Sequence, residues 1–338
     1  MNCFMFVGNR ASERCFCNLN ENEKSCVTIS TMITYYFRTL KDDSLKKIEV
    51  LRNGVWIHAE SPSVEELEKL AERLELDINI LDDSLDFYEV PRLERAAGTT
   101  YFFTRYPYNE QDEDTETAPL LIVMGEAFVL TVALREVPQF KNFFGGQDQI
   151  VTTQKTKLFI HMMEVITESF EKQLITLRRG VHKDRAKLRK IGSKEIVRFV
   201  NYEHKLNDMV AAVMPTNASL QQVMGGRYMK VFPDDKELLD HLRIDNEQVV
   251  DSGRILLKTI QNVRSASEAI LTNNLNNRIK TLTVLTILLT IPTVISSLYG
   301  MNVPLPFAEQ SYAFLMVVGV VVAAVSIMVW YFKRNDWL

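Results

Sequence analysis

Apolar and polar positions alternate in short runs through the first third of the chain and take up helical periods after it. The runs at 33–40, 48–51 and 55–57 predict strands, with Asn53-Gly54 as a hairpin turn between the last two. Ser63 followed by Glu66 is the pattern of a helix-capping box, and Leu67, Leu70 and Leu74 then fall on one helical face. Residues 78–86 predict a second short helix. Strand-like runs follow at 99–105, 118–124 and 127–133, with Gly125-Glu126 turning between the last two. The acidic run 110–116 reads as a solvated loop. Residues 32–148 therefore predict a compact α/β domain.

Residues 149–233 predict a helical region. Leu158, Ile160, Met163, Ile166, Phe170, Leu174 and Leu177 recur at helical spacing, a break falls near Gly192-Ser193, and 221–233 reads as a connector. From 234 to 299 there is one proline, Pro292, and one glycine, Gly253, which predicts a single helix. At about 1.5 Å per residue it would be roughly 100 Å long. Leu242, Val249, Leu256, Val263 and Ile270 keep strict seven-residue spacing, with polar Asn246 and Ser267 between them. Such a seam packs either against neighbouring copies or against the helix's own domain.

The pattern then changes character. Residues 281–299 and 312–332 are uncharged runs of nineteen and twenty-one residues, each long enough to cross a hydrocarbon core of about 30 Å. Arg278 and Lys280 precede the first span, Lys333 and Arg334 follow the second, and the loop 300–311 holds no Lys or Arg and one acid, Glu309. The positive-inside rule puts both termini in the cytoplasm and the loop outside, as expected of a multi-pass protein of the cytoplasmic membrane. Tyr299, Tyr312, Trp330, Tyr331 and Trp337 stand where interfacial aromatic belts belong. The fold class expected is α+β: a cytoplasmic α/β domain, a stalk helix (234–280) continuous with the first of two C-terminal spans, and a tail at 333–338.

The spans differ. The second is rich in Val, Ala and Met and reads as lipid-facing. The first carries Thr283, Thr286, Thr290, Thr293 and Ser297, spaced 3, 4, 3 and 4, on one face. A hydroxyl can bond back to its own helix, so one or two mean little. Five in register suit tight partner helices or water. Asn276, Ile279 and Leu282 continue the stripe below the span. One helix cannot enclose a pore, so a pore needs several copies around an axis. A wall of neutral hydroxyls without an ionisable group suits an ion that keeps its water, whereas pumps and proton-coupled carriers use buried charges.

Composition narrows the class. The 338 residues carry 39 basic and 43 acidic side chains, a net charge of -4, which argues against a nucleic-acid partner. Cys3, Cys15, Cys17 and Cys26 all lie in the first 26 residues, so the body has no disulfide framework. Their spacing matches no common zinc module. Residues 1–31 read as a disordered extension or an upstream start, with the working chain opening at Met32. The five histidines are scattered, and neither a P-loop nor a G-x-S-x-G is present, so no enzyme is expected.

At the outer end of the first span stands Tyr299-Gly300-Met301-Asn302, and with this setting the chain resembles the CorA family of divalent-cation channels, whose signature is Gly-Met-Asn. The resemblance covers residues 32–338. It implies a homopentameric funnel in membrane lipid that passes Mg²⁺, with Co²⁺ and Ni²⁺ often accepted, and for which Mg²⁺ is both substrate and regulatory ligand. It makes Gly300, Met301 and Asn302 the selectivity filter, with Asn302 holding the hydrated ion and Met301 packing behind. It makes Asn276 a lower polar ring and Ile279 and Leu282 an apolar gate that closes by dewetting. It also implies a cytoplasmic metal sensor in which Asp83 meets a stalk partner, Asp245 or Asp240, across subunits. Val303-Pro-Leu-Pro-Phe replaces the family's usual Met-Pro-Glu-Leu, and the C-terminal basic cluster is reduced to Lys333-Arg334. A zinc-transporting branch shares the signature, but neutral Asn and Thr rings without membrane His or Cys favour Mg²⁺. A membrane-anchored structural or signalling protein would leave the hydroxyl stripe unexplained.

Overall fold

The structure is a computed structural model that describes residues 13–16, 27–30, 33–110, 114–145, 150–186, 193–301, 312–335 and 337. It divides into two compact units, one formed by Met1–Ala186 with Val197–Ile260 and the other by Lys187–Ile196 with Gln261–Leu338.

Within residues 1–31, strands β1 (Glu13–Phe16) and β2 (Val27–Ser30) pair antiparallel as a separate two-stranded sheet. Cys15 lies in β1, while Cys3, Cys17 and Cys26 lie outside the described residues.

The first unit is organised by a seven-stranded sheet in the order β4-β3-β5-β9-β8-β7-β6. Its strands are β3 (Ile33–Phe37), β4 (Lys46–Ile48), β5 (Val55–Glu60), β6 (Arg92–Ala96), β7 (Thr99–Glu110), β8 (Asp114–Met124) and β9 (Phe128–Ala133). Only β5 and β9 pair in parallel. Alternation puts Val55, Ile57 and Ala59 on one face, where they pack with Leu67 and Leu70 of α1 (Val64–Leu74) and Leu81 of α2 (Ile78–Asp83). The expected capping box is formed: the Ser63 hydroxyl accepts from the Glu66 N–H, and the Glu66 carboxylate from the Ser63 N–H. Trp56 and His58 point to the opposite face, against Phe140 and Phe144 around the short helix α3 (Lys141–Phe144).

Two local expectations change, and one strand was not anticipated. Asn53-Gly54 is a turn, but it closes no hairpin, because β4 and β5 lie on opposite sides of β3. Gly54 is needed there for another reason. Its φ is +87°, and a Cβ would sit 2.8 Å from the Thr153 methyl. The acidic stretch is not wholly loop, since β7 runs to Glu110 and β8 starts at Asp114. Strand β6 escapes the periodicity because it is an edge strand whose charged Arg92, Glu94 and Arg95 blur the alternation.

Helix α4 spans Lys155–Arg185 and α5 spans Ser193–Met224, and Gly192 of the expected break lies outside the described residues. Helix α5 continues through Pro215. Helix α6 (Pro233–Tyr299) is single and runs through Gly253 and Pro292. Leu242, Val249 and Leu256 of its seam are buried. Buried Asn246 donates to the Thr167 hydroxyl of α4 at 2.9 Å and to its own Leu242 carbonyl at 3.0 Å. Over this stretch the seam packs on the chain's own domain. Ile270, the fifth seam position, is 37% exposed.

In the second unit, the end of α6 and helix α7 (Ala313–Arg334) are both long and apolar enough to cross a membrane. In α6, Val284 is buried and Ile287, Leu288, Ile291 and Ile295 are half-buried on the same side. In α7, Val317, Val321, Ala324, Val325 and Met328 form a comparable half-buried face. Most other apolar side chains of both helices are exposed in the single chain.

Candidate functional site

The hydroxyl face of α6 is built as a ladder. Thr283 donates to the Ile279 carbonyl at 2.8 Å, Thr286 to Leu282 at 2.9 Å, Thr290 to Thr286 at 2.8 Å and Thr293 to Leu289 at 2.8 Å. A carbonyl cannot donate, so each hydroxyl proton must be the one used. Every one of these threonines is exposed, as is Ser297. They occupy the side opposite Val284 and Ile291. Asn276, Ile279 and Leu282 continue the same face and are likewise exposed, so the structure aligns all eight residues of the expected stripe. No Asp, Glu, Lys or Arg interrupts it between 281 and 299.

The helix ends at Tyr299, beside the expected signature. The Gly300 N–H donates to the Ser296 carbonyl at 2.9 Å, and the Met301 N–H reaches the Leu298 carbonyl at 3.4 Å. Both Gly300 and Met301 are exposed. Asn302 and Glu309 lie outside the described residues.

The carboxylates of the expected sensor have distinct surroundings. Asp83 is the last residue of α2, and its side chain is 49% exposed. Its Oδ2 accepts from Arg92 Nη2 at 2.6 Å. Arg92 Nη1 also donates to Glu89 and its Nε to Glu94, and its guanidinium carbon lies 4.0 Å from the Phe103 ring centre. Burial opposes the Arg92 charge, but Glu94, Glu89 and Asp83 outweigh it and raise the pKa above the ordinary arginine value. Asp240 is held by Arg243, whose Nε and Nη2 both reach Oδ1 at 3.2 Å. Exposed Asp245 instead faces Glu171 of α4; burial first, then the Asp245 and Glu168 charges, raise the Glu171 pKa. Of the two stalk aspartates, Asp245 is the one not paired with that arginine.

Carboxylate oxygens suit hard cations such as Mg²⁺, which keeps much of its water. Asp83 supplies one carboxylate with Oδ1 outside the Arg92 bond, so a cation there would complete its shell with water or another chain's oxygens. Among the described residues no group of three or more His, Cys, Asp or Glu could hold a metal ion. Sequence reading missed Arg92. Acids at 89 and 94 flanking an arginine were the available signal, since residues i and i+2 share a strand face.

Comparison with known proteins bears on the whole arrangement. Residues 52–334 match the family of the CorA-like Mg2+ transporter protein. The cobalt/magnesium transport protein CorA of Methanocaldococcus jannaschii is 23% identical over 295 residues, 84% of this chain and 91% of that protein. The magnesium transport protein CorA of Pasteurella multocida is 22% identical over 308 residues, 85% and 93% of the two chains. The complete structure of the M. jannaschii CorA magnesium transporter superposes with a TM-score of 0.78 at 21% identity, covering 92% of this chain and all of that one. The structural likeness shows the fold: a soluble α/β part, a long helix and two apolar C-terminal helices. Taken with the family match, it places the chain in the CorA-like Mg²⁺ transporter family, a family of ion transporters rather than enzymes.

Proposed function

We propose that this protein conducts Mg²⁺, and Co²⁺ with it, across the cytoplasmic membrane as a homopentamer whose α6 helices surround the path. The carrying observation is the exposed, charge-free hydroxyl face of α6, aligned with Asn276, Ile279 and Leu282 on a helix that ends at Gly300 and Met301. Supporting it are the names of the relatives, one of them a cobalt/magnesium transport protein. In this reading Asn302 and the Gly300 carbonyls form the outer ring that receives the hydrated ion, and Ile279 and Leu282 close by dewetting. The termini are cytoplasmic, and internal Mg²⁺ bridges Asp83 to a neighbour's stalk carboxylate to favour the shut state. Asp245 is the better stalk partner, because Asp240 is already neutralised by Arg243.

The test is Mg²⁺ entry into liposomes carrying the purified protein, wild type against Asn302→Ala, with Co²⁺ and Zn²⁺ run alongside. Mg²⁺ entry abolished by the substitution supports the reading. Zn²⁺ entry without Mg²⁺ entry would move the protein to a zinc-transporting role. Absence of any flux from a folded oligomer would sink it.

A further inference from the structure

Asp83 is not a bare ligand. All three guanidinium nitrogens of Arg92 are engaged by acids: Asp83 at 2.6 Å, Glu89 and Glu94. Beneath the guanidinium lies Phe103, the cross-strand partner of Arg92 in the β6–β7 pair. The three acids are not equivalent. Glu89 and Glu94 sit within three residues of Arg92 on its own segment, whereas Asp83 reaches it from the end of α2. Their side chains are 16% and 37% exposed, against 49% for Asp83. If Asp83 let go, two carboxylates and an aromatic face would still hold the arginine. Asp83 is thus the detachable arm of the cluster.

We infer that Arg92 is a built-in counter-cation for Asp83, occupying its carboxylate until a divalent cation displaces it, and so setting the cation concentration at which the Asp83 site fills. This rests on the reading of Asp83 as a regulatory ligand. The exchange is simple to balance: the ion pair opens, Arg92 stays on Glu89 and Glu94, and the dication with its remaining water takes the freed Oδ2 of Asp83. A ligand that binds only the open form has its apparent affinity reduced by the fraction open. The pair is half-exposed, so the reduction is modest, about two- to fivefold.

The test titrates full-length protein in nanodiscs with MgCl₂ at constant ionic strength and follows the melting temperature, a readout independent of flux. Arg92→Gln should lower the half-saturating Mg²⁺ about two- to fivefold. Arg92→Lys should lower it too, because an ammonium is a point charge that cannot hold three carboxylates at once. Lysine also keeps the charge, so it carries the test if the glutamine variant fails to fold. An unshifted midpoint in both variants overturns the inference. So does a shift in Arg92→Gln with Arg92→Lys at the wild-type value, which would mean that net charge alone matters. Asp83→Asn separates the underlying reading. If it titrates like wild type, Asp83 is not a ligand and that reading falls. If it abolishes the response while the Arg92 variants do not move, only the role of Arg92 falls.

Discussion

The two units solve the same problem, where to put polar and apolar groups, in opposite ways. In the first, apolar residues such as Leu242, Val249 and Leu256 are buried, and the buried polar Asn246 finds a partner on another helix. In the second, Leu282, Leu285, Leu289 and Leu298 face outward, and each threonine of the stripe is satisfied by its own helix four residues back. A helix that meets its hydrogen-bonding needs internally can shed water from every side, which is what a hydrocarbon environment demands. A helix that relies on partners elsewhere is committed to one packing arrangement. Since α6 belongs to both units, the contrast tracks environment and not helix type.

Matched substitutions test this most sharply. Val322→Lys, on an outward side of α7, should impair membrane insertion by about 3 kcal/mol, read as loss of integrated protein. Asn246→Asp, placing a charge where the amide now donates to two acceptors, should destabilise the first unit by about 3 kcal/mol in a denaturant melt. If either proves silent, the contrast is wrong. A buried phenol gives the next effect. Burial lifts Tyr36 to about 12, so stability tied to its neutral form is present below its ordinary value of 10 and is lost as pH rises from 10 towards 12. The loss should reach about 3 kcal/mol at most and disappear in Tyr36→Phe. Replacing Thr286, Thr290 and Thr293 together with valine should leave the melting temperature nearly unchanged while cutting Mg²⁺ flux about tenfold. Unchanged flux would favour an anchoring role for α6. The smallest effect belongs to Val50→Lys, an exposed valine of the first unit, expected within about 0.5 kcal/mol of wild type in the same melts.

Much of this was legible in the residues. The capping box at Ser63 and Glu66 and the two apolar runs are local signals, and each appears where expected. The stripe was legible because 3- and 4-residue spacing maps directly onto one helix face. What failed was non-local. That β3 inserts between β4 and β5 depends on a pairing partner that Asn53-Gly54 does not encode. The parallel β5–β9 pair joins residues more than seventy positions apart. The hold of Arg92 on Asp83 was hidden because it needs the end of α2 to meet an edge strand. The fate of the seam was left open, and Thr167 decides it over the first stretch by meeting Asn246.

The threonine ladder has a further consequence, one of polarity. Each hydroxyl has spent its only proton on the backbone, so what it turns outward is lone pairs alone. Water touching such a surface must point its hydrogens at the wall and its oxygen away. Water around a cation is oriented the same way, oxygen inward and hydrogens out, while water around an anion is reversed. Lining the path proposed above, the face would match the shell of a hydrated cation and oppose that of an anion, favouring one sign of ion without carrying any charge of its own.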